Sequence, residues 1–242
     1  MKVRFLGSGD AFGSGGRFQT CILLESSATR VLVDCGASSL IAMRRFGVDP
    51  LTIDAVILSH LHGDHFGGVP FLILDGQFTR RTRPLVVVGP PGVEARVREA
   101  MEVFFPGSSR IERRFATTFV ELADRVALAV ASVSVTPFGV VHASGAPPFA
   151  LRVEAGGKTV TYSGDTEWTD GLIDAARGAD LFIVEAYVFD RAVKYHLDLA
   201  TLLKHRGELD CRRLIVTHMS EDMLRRDRLE VETAEDGKVV VL

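Results

Sequence analysis

No stretch of this chain reaches the roughly 18 consecutive apolar residues that a membrane span needs, and its start, "MKVRFLGSGDAF", carries too short an apolar run for a secretory signal. Positive charge is not in excess either. A formal charge of −3 over 242 residues argues against a surface built to hold long nucleic acid. The one dense basic cluster, "RRTR" at Arg80 to Arg83, reads first as a solvated surface run and second as a contact for one or two phosphates. Cysteine is scarce: Cys21, Cys35 and Cys211 are isolated, odd in number and free of any CxxC pairing. They read as small buried thiols of a reducing compartment, which places the protein in the cytoplasm. Low-complexity segments and Gly/Ser-rich or Pro-rich linkers are missing as well, so residues 1–242 are expected to form one domain.

What is present is a succession of short apolar runs. "KVRFLG", "CILLES" and "TRVLVDCG" read as strands, the last two as a pair, and "ASSLIAMRRFG" follows at helical spacing with a closing glycine. "DAVILSH" is nearly continuous, which suits a strand buried on both faces. "PLVVVGPPG" repeats the theme and feeds a helix from about Val93 to Phe105. The second half echoes the first: "FALRVEAGGKTVTYSGD" predicts a hairpin turning at Gly156-Gly157. "ADLFIVEA" and "RRLIVTHMS" predict buried strands, with a helix near Leu197 to Arg206 between them. Helices should therefore cover the outer faces of packed sheets. His60, Asp165, Glu185 and His218 all fall at or just beyond strand carboxyl ends, where ligand sites of such architectures collect.

The densest chemistry is "LSHLHGDHFGG", which places His60, His62, Asp64 and His65 within six residues. A helix would put His60 and Asp64 on one side and His62 and His65 on the other, and a strand would turn His65 away from the rest. A loop can converge all four, and Gly63, Gly67 and Gly68 are expected to give it backbone freedom. Nitrogen and oxygen donors of this kind suit Zn²⁺, with Mn²⁺ and Fe²⁺ as alternatives. Four adjacent ligands on one tetrahedral ion would leave no place for a reacting water, so two ions per chain are the simpler solution. His142, Asp165 and His218 are the candidates for the remaining ligands.

"HLHGDH" matches the HxHxDH signature of the metallo-β-lactamase fold, and His142, "SGDT" at Ser163 to Thr166 and His218 match its later motifs in order. The chain thus resembles that family over essentially its whole length. The resemblance implies an α/β (α+β) four-layer αββα sandwich with a binuclear centre at one edge. It also implies that His60, His62 and His142 bind one ion, that Asp64, His65 and His218 bind the other, and that Asp165 bridges them. Two such ions, about 3.5–4 Å apart, share a hydroxide whose pKa they lower to about 7 and which attacks phosphorus or a carbonyl carbon. Asp64 is counted as catalytic because its loss would dismantle one ion's site.

Glu185 in "LFIVEAY" and His196 in "VKYHLDLATLL" resemble the ribonuclease Z branch, in which a His held by an acid protonates the leaving oxygen of a phosphodiester. An alkoxide is a poor leaving group and needs such an acid, and a carboxylate partner would keep His196 oriented and partly protonated. "FLGSGDAFGSGGRFQTC" also resembles the glycine-rich start of that branch, and its Arg17 could meet a substrate phosphate or simply face solvent. The tRNA-processing members carry a long arm between the third ligand motif and SGD, whereas only 22 residues separate His142 from Asp165 here. The expected substrate is therefore a small or cyclic phosphodiester or a short RNA end; "FLILDGQF" and "MEVFFPG" read first as core packing and second as walls of its pocket. An acyl hydrolase acting on a thioester or lactone is the first alternative, and an iron-dependent oxidoreductase on the same fold the second. A homodimer is expected by analogy with the fold alone.

Overall fold

A computed structural model describes residues 1–242. Two seven-stranded sheets each run in chain order from strand to neighbouring strand. The first contains β1 (Lys2–Gly7), β2 (Cys21–Glu25), β3 (Arg30–Val33), β4 (Ala55–Ile57), β5 (Leu85–Gly89) and β6 (Thr117–Glu121). The second contains β7 (Leu128–Val130), β8 (Val133–Gly139), β9 (Phe149–Ala155), β10 (Lys158–Tyr162), β11 (Leu181–Glu185), β12 (Leu214–Thr217) and β13 (Glu232–Thr233). Finally β14 (Val239–Val241) returns to the first sheet and pairs antiparallel with β1. Both sheets open antiparallel and become parallel, from β3 onward in one and from β10 onward in the other. This is the repeated pattern expected of the two halves.

Alternation along the strands sorts the side chains into layers. Ile22, Leu24, Val31, Val33, Ala55 and Ile57 of the first sheet join Leu151, Val153, Val160, Tyr162, Ile183 and Ile215 of the second in one buried cluster. Fully burying an aliphatic side chain there contributes roughly 1.5–3 kcal/mol. The alternate residues Leu23, Leu32 and Val56 face outward onto α1 (Ser39–Arg45), α2 (Gly63–Phe66), α3 (Val69–Phe78) and α4 (Val93–Phe104). On the other side Phe182, Val184 and Val216 pack against α5 (Gly171–Ala176), α6 (Leu199–Lys204) and α7 (Glu221–Leu224). The result is the four-layer αββα sandwich. No helix is long and apolar enough to cross a membrane.

Most predicted elements are present. The β9–β10 hairpin turns at Gly156 and Gly157, both at positive φ (58° and 72°), as a two-residue turn between twisted strands requires. The expected Leu197–Arg206 helix starts later, at Leu199, because Asp198 accepts the Thr201 N–H at 2.8 Å and caps it.

Other expectations need correcting. "FLILDGQF" belongs to α3, whose buried Val69, Leu72, Ile73 and Gly76 follow i, i+3, i+4, i+7 spacing after a proline in the first turn. Phe71 of α3 stacks on Phe104 of α4 at 5.5 Å, so "FLILDGQF" and "MEVFFPG" pack on each other and do not line the centre described below. Within "RRTR", Arg81 is buried and donates to the carbonyls of Pro50, Leu51, Ile53, Arg83 and Pro84, which makes it a loop fastener rather than a phosphate contact. Cys21 and Cys35 are buried as expected, whereas Cys211 is only half-buried.

Candidate metal centre

The parallel halves of both sheets aim their carboxyl ends at one place. Asp34 follows β3, His60 comes three residues after β4, Asp165 follows β10, Glu185 ends β11 and His218 follows β12. The "HLHGDH" segment is not one loop. His60 and His62 lie in the connection after β4, while Asp64 and His65 sit in the short helix α2. Its glycines also act differently from the expectation. Gly67 and Gly68 have ordinary negative φ (−61° and −80°), and their value is close approach. A Cβ on Gly68 would stand 2.3 Å from the Gly36 carbonyl, and one on Gly67 2.4 Å from that of Gly63. Only bare backbone lets α2 lie this close to the end of β3.

The seven side chains singled out as ligands converge. His60, His62 and His142 form one group and Asp64, His65, Asp165 and His218 a second, with the ligand atoms of each group within 4.8 Å of one another. Asp165 Oδ2 stands between them, 3.3 Å from His65 Nε2, 3.2 Å from His218 Nε2, 3.9 Å from His60 Nε2 and 4.0 Å from His142 Nε2. His62 Nδ1 lies 3.0 Å from His142 Nε2.

Each of these five imidazoles gives one nitrogen to the protein and turns the other inward. His65 Nδ1 donates to Asp34 Oδ2 at 2.7 Å, and His142 Nδ1 donates to the Tyr195 carbonyl at 2.9 Å. His62 Nε2 donates to the Ala143 carbonyl at 3.1 Å. Ser59 Oγ donates to Asp34 and can accept from His60 Nδ1 at 3.1 Å, and Thr20 Oγ1 stands 3.4 Å from His218 Nδ1. Such partners fix tautomer and ring orientation, leaving inward lone pairs as ligands need. Asp34, which the sequence reading did not single out, accepts from Ser59 N (2.7 Å), Ser59 Oγ (2.8 Å) and His65 at once.

The charges fit the same picture. Burial pushes His60, His142 and His218 below the ordinary histidine range, so they stay neutral. Burial also disfavours charge on Asp64 and Asp165, yet the surrounding histidines outweigh it and hold both below the usual carboxylate range. His65 differs: three carboxylates, Asp165, Asp64 and Asp34, raise it against its burial, and a bound cation would take over the positive charge that they attract. Three inward atoms, His60 Nε2, His65 Nε2 and Asp165 Oδ1, are buried without any hydrogen-bond partner. Orphaned buried polar atoms cost about 1–3 kcal/mol each, and here all three point where an ion would satisfy them.

Glu185 and His196 also meet. His196 Nδ1 lies 2.9 Å from Glu185 Oε2, while Glu185 Oε1 accepts the Thr166 N–H and the Glu185 N–H bonds Ser163 Oγ at 2.9 Å. Burial, with the charge of Asp165, pushes Glu185 up to about 8. Burial would lower His196, but the hydrogen bond and charge of Glu185 prevail and raise it. Both shifts run in the direction that favours a proton shared by the pair. His196 lines a cavity of about 210 Å³ with Ala11, Phe12, Tyr187 and the inward ligand-type residues.

The loop Gly7–Gly16 closes one side of this cavity and is fastened to distant chain. Asp236 accepts from Ser8 N, Ser8 Oγ and Phe18 N at 2.8–2.9 Å, and the Ser8 carbonyl accepts the His218 N–H at 3.2 Å. Arg17 Nη1 donates to the Ala234 carbonyl at 2.7 Å and reaches Ser8 Oγ at 3.4 Å, so that part of its guanidinium is structural.

A family model described as the beta-lactamase superfamily domain matches residues 29–219. The chain belongs to that family. A buried His/Asp cluster on this metallo-β-lactamase fold implies a divalent metal. Ribonuclease Z of Methanothermobacter thermautotrophicus is 29% identical over 266 residues, spanning 91% of this chain and 87% of the relative. Ribonuclease Z of Lachnoclostridium phytofermentans is 24% identical over 290 residues, spanning 97% and 92%. The crystal structure of the short form of human tRNase Z superposes with a TM-score of 0.81 at 24% identity, covering 100% of this chain and 99% of that one.

Proposed function

We propose that the chain is a single-domain, cytoplasmic, zinc-dependent phosphodiesterase acting on a small or cyclic phosphodiester or a short RNA end. The observation that carries this reading is the 2.9 Å contact between His196 Nδ1 and Glu185 Oε2 at the wall of the metal centre. His60, His62 and His142 would hold one ion and Asp64, His65 and His218 the other, with Asp165 shared between them. The nitrogen and oxygen donors favour zinc, and the three orphaned buried atoms support occupancy of both sites. When bound, two such ions lower the pKa of water to about 7 and neutralise charge on the phosphoryl oxygens.

The chain's own residues do the rest. His196 donates its Nε2 proton to the leaving oxygen while Glu185 holds Nδ1 and favours the charged imidazole. His142, Asp165 and His196 could also group around an ion, but His196, already bonded to Glu185 through Nδ1, is assigned to the leaving oxygen instead. Asp34, Ser59, Thr20 and the Tyr195 carbonyl keep the ligand imidazoles aimed. A thioesterase, whose leaving thiolate needs no proton, would have less use for such an acid.

The relatives named ribonuclease Z support the phosphodiester reading. The small-substrate reading is supported by what joins His142 to Asp165: a loop and the β9–β10 hairpin, with no protruding arm. Alignments of 266 and 290 positions against a chain of 242 mean that those relatives carry segments this chain lacks. Hydrolysis of a 2′,3′-cyclic nucleotide by zinc-loaded protein tests the proposal, with Asp64→Ala as the comparison. We expect turnover in the parent and none in the variant, whose circular dichroism spectrum should match the parent's. Equal turnover in a metal-reloaded Asp64→Ala would overturn the two-ion mechanism. Hydrolysis of thioesters or lactones but of no phosphodiester would overturn the substrate class.

A further inference from the structure

Phe12 stands at the rim of the metal centre with its side chain largely in solvent, at 84% exposure, the highest among the large apolar residues of the chain. An exposed phenylalanine on a loose loop would need no explanation. This loop is not loose. Asp10 Oδ1 accepts the Phe12 N–H at 3.2 Å and the Ser14 N–H at 2.9 Å, and Asp10 Oδ2 accepts Ser14 Oγ at 2.7 Å. The Gln19 side-chain amide donates to the Ala11 carbonyl at 3.0 Å, and the Gly15 N–H donates to Glu221 at 2.8 Å. Gly13, Gly15 and Gly16 hold the turn in left-handed backbone (φ 69°, 65° and 73°). A fixed backbone therefore presents a free aromatic face.

The position of that face gives it a use. Phe12 and Ala11 line the cavity of the metal centre and also a second hollow of about 390 Å³, bordered by Gly13, Arg17, Gln19, Ser38 and Ile41. Phe12 is thus the partition between the place where a phosphorus would sit and a wider groove beside it. The groove's borders mix apolar Ile41 with the polar side chains of Gln19 and Ser38. They also include Arg17, whose guanidinium Nη1 is bonded to the Ala234 carbonyl and Ser8 Oγ. This is the surface that a planar heteroaromatic group carrying polar edges fits, and stacking a base on an aromatic side chain is worth about 1–3 kcal/mol.

We propose that Phe12 is the specificity-determining residue of this centre, stacking the nucleobase of a nucleotide substrate over the second hollow. The inference rests on the phosphodiesterase reading and narrows its substrate class to nucleotides over base-free sugar or glycerol phosphates.

The test compares zinc-loaded parent, Phe12→Ala and Phe12→Trp on two five-membered cyclic phosphodiesters, 2′,3′-cyclic AMP and glycerol 1,2-cyclic phosphate. The parent should prefer the base-bearing ester in kcat/KM. Phe12→Ala should collapse that preference by about 5- to 150-fold, the range that stacking implies, and Phe12→Trp should restore it. An unaltered preference in Phe12→Ala, or equal loss on both esters, would overturn the proposal. Calorimetric binding of AMP and of ribose 5-phosphate to the same proteins provides a readout that does not need turnover. If the parent cleaves neither ester yet binds AMP the more tightly, and does so only with an aromatic at position 12, the stacking site stands and five-membered cyclic phosphodiesters fall as substrates. If AMP and ribose 5-phosphate bind alike, the stacking site falls whatever the reaction.

Discussion

Replacing Asp34 by Asn changes one atom type and should cripple a metal site that Asp34 never touches. The carboxylate serves three donors: Ser59 N at 2.7 Å on Oδ1, and Ser59 Oγ at 2.8 Å and His65 Nδ1 at 2.7 Å on Oδ2. An amide fits the same volume but brings its own donors. With its NH₂ in the Oδ1 position it opposes the Ser59 N–H, and in the Oδ2 position it opposes His65 Nδ1–H. The Ser59 backbone cannot adapt, so the NH₂ takes the Oδ2 position and His65 must move its proton to Nε2, the nitrogen that faces Asp64 and Asp165. A charge-assisted bond of about 1.5–3 kcal/mol is lost, and one inward lone pair becomes a donor. Losing an outer partner of this kind typically weakens metal binding 10- to 100-fold, equivalent to about 1.4–2.7 kcal/mol. Zinc titration of apo-protein against a chromophoric chelator measures the affinity, and long-range ¹H–¹⁵N correlation spectra report the His65 tautomer. Unchanged affinity for both ions, with His65 still protonated on Nδ1, would refute the reasoning.

His196→Ala should lower kcat by about 10²–10⁴ on esters with alkoxide leaving groups and far less on nitrophenyl esters, and equal losses on both would reject it as the general acid. Arg81→Ala should destabilise the fold by at least about 3 kcal/mol in urea unfolding, because five carbonyls converge on that guanidinium. A change below 1 kcal/mol would show that water replaces it freely. Glu232, bonded first to Arg213 and then to Lys238, is lowered from 4.5 to about 2. Its stabilisation is therefore complete above pH ~4.5 and is lost as pH falls toward 2. The side chain is 33% exposed and screened by solvent, so Glu232→Gln should cost less than about 1 kcal/mol at pH 7, with a gap that narrows below pH ~4.5. A gap independent of pH would contradict the ion-pair origin.

The seven ligand-type residues could be read from the sequence because each belongs to a short motif or ends an apolar strand, and strand ends converge in any sandwich with parallel halves. Asp34 could not be read so directly. Its partner His65 lies 31 residues away, and the two meet because β3 and β4 run parallel with Val33 opposite Ile57. The only local signal was an acid closing the apolar run Val31 to Val33, much as Glu185 closes Leu181 to Val184. Helix α3 was missed because its apolar residues are nearly continuous, so the i, i+3, i+4, i+7 subset that is buried does not stand out. Phe12 was missed as a cavity residue because exposure of an apolar side chain leaves no trace in composition. Gly67 and Gly68 drew attention for the right place and the wrong reason, since packing distance rather than torsional freedom requires them, whereas Gly63 has open space around it.

The fastening of the Ser8 loop by Asp236 has a consequence for how the protein is made. The two partners are separated by 228 residues, nearly the whole chain. During synthesis both sheets can begin to assemble with the side chains of "HLHGDH" already in the growing protein. The Phe12 loop, however, keeps only its local bonds to Asp10 and Gln19 until Glu221 and then Asp236 emerge to fasten it to the rest of the fold. Contacts of such long sequence separation form late, after the large entropic cost of closing the chain has been met. The wall between the metal centre and its neighbouring groove is then the last part of the cavity to set, and a ribosome-bound chain would display ligand residues before it could select what approaches them.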